Sequence, residues 1–490
     1  VTIEKTAAGP SDAGATHRGA AAPAVPQLSR ALRPAPKAPV RIVHLGLGAF
    51  HRSHQAWYTQ HAGDAAEWGI AAFTGRRPDA AEALSQQDGL YTVVERGDSG
   101  DTFEVVGSIV EAVNGADAGR LAALIAAAGT AVVTLTITEA AYGLGADGQL
   151  DRKAPGVAAD LQELAAGPAG RPATPVGRLV RALAARKAAG AGPLAVVCCD
   201  NLSNNGTVAR TAVVGMAEAW DPELAAWIVE YISFVSTSVD RITPRTTDAD
   251  VESVTAACGY IDNSPVVAEP FRNWVLSGDF PAGRPRWEDA GAVFVDEIEP
   301  YEHRKLWLLN GAHSLLAYAG QLRGHATVAE ALADPVCLAA VERFWNEAEA
   351  NLSGAAAHGA DLQIPAYREQ LLARFRNARI AHHLTQIAMD GSTKLRMRAV
   401  PVLMAERDGG RSGEGAAAMI AAWVAFCVDA TGDGRTVQDP LSDDIAAACA
   451  LAGADRVQAL LALLSVPLSH DGAVVELVAG LAGTFARQGE

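Results

Sequence analysis

Short apolar runs alternate with helical stretches through the first two hundred residues of this 490-residue chain. The runs are Val40-Arg-Ile-Val-His-Leu-Gly-Leu-Gly48, Trp68-Gly-Ile-Ala-Ala-Phe-Thr74, Ala131-Val-Val-Thr-Leu-Thr-Ile-Thr138 and Leu194-Ala-Val-Val-Cys-Cys-Asp200, with helix-like segments such as 121–128 and 176–189 between them. A strand that is apolar on both faces must be covered on both faces, and parallel strands need a crossover between them. The pattern therefore predicts an α/β, Rossmann-like, doubly wound domain over 39–292. From Tyr301 onward, Ala/Leu-rich helical patterns take over, for example 445–464, and predict a mostly α-helical C-terminal domain over 293–490. Residues 1–38, rich in Ala, Pro and Gly without periodicity, are expected to form a disordered tail.

Charge narrows the partners. Forty Lys and Arg against 56 Asp and Glu leave a net charge of −16, which repels phosphate backbones and anionic lipid. Neither nucleic acid nor a membrane is expected as the partner. The apolar stretch 121–138 is interrupted at Gly129-Thr130, and the N-terminus has no continuous apolar segment, so no membrane span or secretory leader is expected. Six cysteines (198, 199, 258, 337, 427 and 449) show neither framework spacing nor a CxxC, and read as reduced thiols of a cytoplasmic protein. No metal site is expected. His51 and His54 are spaced HxxH but lack a neighbouring acid or thiol.

The first run ends in Gly46-Leu-Gly48-Ala49-Phe50-His51-Arg52. Glycines there permit a tight turn and bring backbone N–H groups close to a dinucleotide pyrophosphate at the next helix. His51 replaces the third glycine of the usual fingerprint, and a plain strand-to-helix turn remains the alternative. After the second run stand Arg76 and Arg77 where a ribose-binding acid is customary. Arg76 could hold a 2′-phosphate and so favour NADP over NAD, or both arginines could be solvated loop charges.

The segment Tyr301-Glu-His-Arg-Lys305-Leu-Trp-Leu-Leu-Asn310-Gly-Ala-His313-Ser sets polar groups among leucines. On an ideal helix with Lys305 at zero, Glu302 falls at about 60°, His313 at about 80° and Asn310 at about 140°, along roughly 16 Å of one side. Such a row is costly unless it lines a cavity. A desolvated lysine can act as a base, amides can stabilise an alkoxide and a histidine can orient the reacting oxygen, which is the equipment of alcohol-to-ketone chemistry. A surface helix with these groups in solvent is the alternative. Gly311 within the helix suggests that something approaches its backbone. Tyr301 and Lys305 show a YxxxK spacing, but the glycine loop that accompanies it in short-chain dehydrogenases is absent.

Together these segments resemble the mannitol dehydrogenase family of polyol-specific long-chain dehydrogenases, over about residues 40–485. The resemblance rests on 43–52, Thr136-Ile-Thr-Glu-Ala-Ala-Tyr142, Cys199-Asp-Asn201, Val239-Asp-Arg-Ile-Thr-Pro244, Glu269-Pro-Phe-Arg272, the 305–313 helix and Asp390-Gly-Ser-Thr-Lys394-Leu. It implies that Lys305 is the catalytic base, with Asn310, His313 and Asn201 as its partners, and that no metal takes part. It further implies NAD (NADP possible) held by Gly46, Gly48, Ala49, Phe50, His51, Arg52 and Arg76. Asp240, Arg272, Gln386 and Lys394 would bind substrate, and Glu302 could relay a proton to solvent. Arg272, Arg374 and Arg398 are candidates for a substrate carboxylate or phosphate, and each could equally be a structural ion pair.

The implied reaction interconverts mannitol and fructose or D-mannonate and D-fructuronate, in a monomer or small homo-oligomer. Gln386, eight residues before Lys394, is glutamine in fructuronate reductases and arginine in mannitol 2-dehydrogenases. Leu395-Arg-Met-Arg398 departs from the Leu-Pro-Gln-Arg of the former group. Drift at a tolerant helix position would also explain Gln386. Mannitol-1-phosphate 5-dehydrogenation and a non-catalytic sugar or nucleotide sensor are the other readings.

Overall fold

A computed structural model describes residues 25–75, 77–356, 361–380 and 382–485. Its strands are β1 (Val40–Leu45), β2 (Gly69–Phe73), β3 (Tyr91–Gly97), β4 (Gly100–Val106), β5 (Ile109–Val113), β6 (Val132–Leu135), β7 (Leu194–Cys198), β8 (Ile232–Asp240), β9 (Val266–Ala268), β10 (Asn273–Ser277) and β11 (Val293–Phe294). Eight of them form one sheet in the order β11-β10-β8-β7-β6-β1-β2-β5. From β8 through β5 every neighbouring pair is parallel, and β10 adds antiparallel to β8. The central strands β2, β6 and β7 are buried at every position, as their unbroken apolar runs require.

The chain leaves β1 toward β2 on one side, while β6 takes the other. Strand order therefore reverses between β1 and β6, and a crevice opens at their C-terminal ends, the general ligand site of doubly wound sheets. Gly46, Thr136, Cys199 and Asp240 stand at the ends of β1, β6, β7 and β8. A small second sheet, β4-β3-β9, lies outside this frame.

After β11 the described residues are helical. The helix Glu414–Gly432, with mean hydropathy 1.5, is long and apolar enough to cross a membrane by length and composition. Here it is a core helix, with the run Gly415 to Val424 buried throughout and the Gly472–Ala482 helix packed against it. The helical pattern expected over 445–464 is broken into Ser442–Cys449 and Gly453–Leu464, and Gly453 takes φ +57° at the break.

The expected tail needs correction over 25–38. Leu28 is fully buried among Leu90, Val94, Val254, Tyr260 and Val267, and Gln27 bridges to Ile261. Arg30 Nη2 donates to the carbonyl of Gly107 at 2.7 Å. An extended strap anchored by one leucine has no periodicity, so a search for helical or strand patterns passes over it. The rest of the expected tail, 1–24, lies outside the described residues.

Candidate active site

The turn after β1 has to be bare. Gly46 adopts φ +112°, and a Cβ on it would collide with the Thr136 carbonyl at the end of β6. Thr136 Oγ1 donates to the Gly46 carbonyl at 2.8 Å, tying the two strand ends together. Gly48 follows in extended conformation, where a Cβ would stand in ordinary contact with the Gly46 carbonyl oxygen at 3.6 Å, and Ala49 begins a five-residue helix. Phe50 lines the cavity beyond the turn. His51 and Arg52, expected at the cofactor, are turned inward instead. The His51 ring stacks on His44, centroids 3.3 Å apart, and the Arg52 guanidinium binds the Ser264 carbonyl and, at 2.8 Å, its Oγ. They brace the loop from behind. Arg76 lies outside the described residues.

Across the crevice, the helix Glu299–Arg304 widens into a π-helical segment, Lys305–Gly311, and returns to α-helix at Ala312–Leu322. Wide turns of this kind loosen the regular backbone pairing and recur at functional sites. Two outside side chains bond carbonyls of this segment: Trp345 Nε1 donates to Leu308 O at 2.7 Å and Arg398 Nη1 to Asn310 O at 3.1 Å. Gly311 is where another group closes in, since a Cβ there would stand 2.5 Å from Cε1 of Phe344.

The change of helix type alters the phase assumed above. Lys305, Leu309, Asn310 and His313 share the wall of one cavity of about 450 Å³ with Thr136–Thr138, Cys199–Asn201 and Val239–Ile242. Glu302 drops out of that wall, and its Oε1 accepts the backbone N–H of Asn204 at 2.7 Å.

Lys305 Nζ donates to Asn201 Oδ1 at 2.5 Å and to the Val239 carbonyl at 2.8 Å. Burial holds its pKa below the ordinary lysine value, against the opposing pull of Asp240. Because Oδ1 of Asn201 serves the lysine, its amide N–H₂ is left for a ligand, and the side chain is exposed toward the cavity. Burial likewise pushes the His313 pKa well down, keeping the ring neutral, and its buried Nε2 has no partner among the described residues. An orphaned buried nitrogen in a cavity wall marks a place that a ligand completes.

Asp240 joins this group, but not as an open carboxylate, because Arg374 grips it through both oxygens at 2.7 and 3.0 Å. Arg374 is thereby committed and is not an open anion site. Arg272 is in a separate cavity of about 570 Å³, bonded to Glu95 at 3.1 Å and stacked 3.7 Å over Trp57. Gln386 is exposed on the short helix Leu384–Ile387, outside the Lys305 cavity wall. Lys394 is also outside it, donating to the carbonyls of Ile387 at 3.0 Å and Met389 at 2.5 Å.

Sequence reasoning missed His382, which lines the cavity with its ring 4.8 Å from that of His313 and nearly perpendicular to it. The adjacent pair His382-His383 was its only signal. Among the described residues no cluster of His, Cys, Asp or Glu could hold a metal ion.

A parallel sheet whose switch point faces a desolvated lysine defines the class: a Rossmann-type dehydrogenase with an amine in its cavity. Comparison with known proteins narrows this. The family model described as the mannitol dehydrogenase Rossmann domain matches residues 40–289, and that of the mannitol dehydrogenase C-terminal domain matches 297–480. The chain belongs to the mannitol dehydrogenase family. It is 39% identical to D-mannonate oxidoreductase of Escherichia coli (strain K12), over 87% of this chain and 88% of that one. Among solved structures it superposes on D-sorbitol dehydrogenase in substrate-free form (TM-score 0.82, 30% identity, 94% and 95% coverage). It also superposes on the Pseudomonas fluorescens mannitol 2-dehydrogenase ternary complex with NAD and D-mannitol (TM-score 0.72, 34% identity, 94% of each chain).

Proposed function

We propose that the chain is an NAD-dependent oxidoreductase that interconverts a secondary alcohol of a linear C6 polyol or aldonate with the matching ketose. The pair is mannitol and fructose or D-mannonate and D-fructuronate. The observation that carries this reading is the desolvated amine of Lys305, fixed between Asn201 and the Val239 carbonyl at the strand ends. Relatives at this level of identity act on, or are solved with, such compounds by name.

The residues present fit a dinucleotide. The Gly46–Gly48 turn leaves its backbone uncovered, and the cavity runs from Phe50 and Thr136–Thr138 at the strand ends to Lys305 and His313. NAD, when bound there, supplies the two-electron acceptor. The protein's own groups handle the proton. In the oxidative direction the neutral amine of Lys305 takes the substrate hydroxyl proton. The amides of Asn201 and Asn310 donate to the oxygen as negative charge gathers on it, and His313 Nε2 orients the same oxygen. In the reductive direction the Lys305 ammonium returns the proton. His51 and Arg52 support the turn, while Gln386, Lys394 and Arg272 stand outside this first ring of contacts. Six free thiols suit a cytoplasmic setting.

NAD(P)H absorbance followed in parallel with fructose, fructuronate and fructose 6-phosphate tests the assignment. Turnover of a C6 ketose or ketouronate that disappears in Lys305→Met supports it. Dinucleotide binding without turnover of any of the three overturns it in favour of a sensor, and turnover confined to the phosphate ester in favour of mannitol-1-phosphate chemistry.

A further inference from the structure

Behind the lysine, one guanidinium joins the two halves of the molecule. Arg374, in the last turn of the helix Ile364–Arg376, presents one edge to Asp240 at 2.7 and 3.0 Å. It presents the other edge to Glu269, with Nε 2.9 Å from Oε2 and Nη2 2.7 Å from Oε1. All three side chains are at most 8% exposed, and the guanidinium lies 4.0 Å over the Phe271 ring. Both carboxylates belong to the sheet half: Asp240 ends β8 and Glu269 follows β9. The residue before Asp240 is Val239, whose carbonyl receives the Lys305 amine. One clamp therefore fixes the strand end that positions the amine, and places one cation between two anions at its back.

We propose that Arg374 is a positioning residue for the reaction, holding Asp240 and the end of β8 against Lys305 and, through Glu269, balancing the charge that this amine feels. The inference rests on Lys305 being the base of the proposed reaction.

Two substitutions separate geometry from charge. Arg374→Lys retains the cation but cannot make two forked contacts at once. Glu269→Gln retains the shape and removes one anion. The groups facing or neighbouring Lys305 are the carboxyls of Asp200, Asp240 and Glu302, the guanidinia of Arg241, Arg374 and Arg398, and the imidazoles of His54, His313 and His382. Only the Glu269 variant changes the charge around this set. Losing an anion makes the ammonium less favourable, so its pKa falls.

The experiment is carried out on the full-length enzyme. It records kcat/KM in the oxidative direction against pH, and separately the pH dependence of Lys305 acylation by an amine reagent, read by mass spectrometry. In Glu269→Gln both curves are expected to move to lower pH, by about half a unit. In Arg374→Lys both should stay in place while kcat falls at least tenfold and NAD affinity, measured by fluorescence, changes less than twofold.

Unmoved curves in a folded Glu269→Gln enzyme, or undiminished kcat in Arg374→Lys, overturn the proposal. Should Arg374→Lys fail to fold, the Glu269→Gln curves alone decide it. Wild-type turnover abolished by Lys305→Met is the control for the underlying assignment. If that control fails, the acylation curves still report whether the clamp sets the amine's pKa.

Discussion

Burial of one amine sets the direction of the pH response. Burial and the surrounding charges place the Lys305 pKa below its ordinary 10.5. The neutral base exists above that lowered value, so oxidation rises with pH through it, whereas reduction, which needs the ammonium, falls through the same value. Lys305→Met should lower kcat by about two to four orders of magnitude and remove this limb from the oxidative profile, as steady-state rates between pH 5 and 11 will show. A second buried group acts on stability. His44, sealed beneath the glycine turn with Thr134 Oγ1 at 2.8 Å, has its pKa lowered by burial from 6.5 to about 3. The unfolded chain binds a proton there below pH 6.5 and the folded chain does not. Its contribution is thus complete above pH 6.5 and lost as the pH falls toward 3. Thermal unfolding followed from pH 7 to 4 should show Tm falling more steeply in the wild type than in His44→Gln.

At the scale of the element, the π-helical segment decides what the site can be. Lys305, Asn310 and His313 could be grouped from the sequence because leucines around polar residues advertise a lined cavity. The widened turn itself could not be read, because it depends on partners far along the chain: Phe344 against Gly311, Trp345 on Leu308, and Arg398 on Asn310. Nor could the sequence show that the Glu302 carboxylate is taken up by the backbone N–H of Asn204, nearly a hundred residues away in the chain. Gly311→Ala would press a methyl group into the Phe344 ring. The expected cost is about 1–3 kcal/mol in denaturant unfolding, with a fall in kcat because the same turn carries Asn310. Phe344→Leu in the same chain should restore part of both. The Arg374 clamp was hidden in a related way. Arg374, Asp240 and Glu269 are separated by long stretches of sequence, and a lone arginine reads equally as an anion site or as half of an ion pair.

For the whole molecule, the order of elements was legible and its fastenings were not. Apolar runs announced the strands and alanine-rich periodicity the helices, because both follow from burial of a local pattern. The order of strands in the sheet, the addition of β9 to the β3–β4 hairpin and the strap at 25–38 arise from pairings between distant segments. Leu28 illustrates the last. Its side chain packs with Val94 of β3, Val267 of β9 and Val254 of the helix Asp248–Cys258, so Leu28→Ala should cost about 2–5 kcal/mol in denaturant unfolding if the space does not collapse. Activity of the fraction that remains folded should be largely retained, since none of the strap residues lines the Lys305 cavity.

The long apolar helix Glu414–Gly432 is covered in part by Gly472–Ala482, a segment that leaves the ribosome some forty residues later. During that interval a nascent chain carries a nineteen-residue greasy rod without its lid. A chain cut between the two helices would leave exposed the side of this rod that Gly472–Ala482 covers.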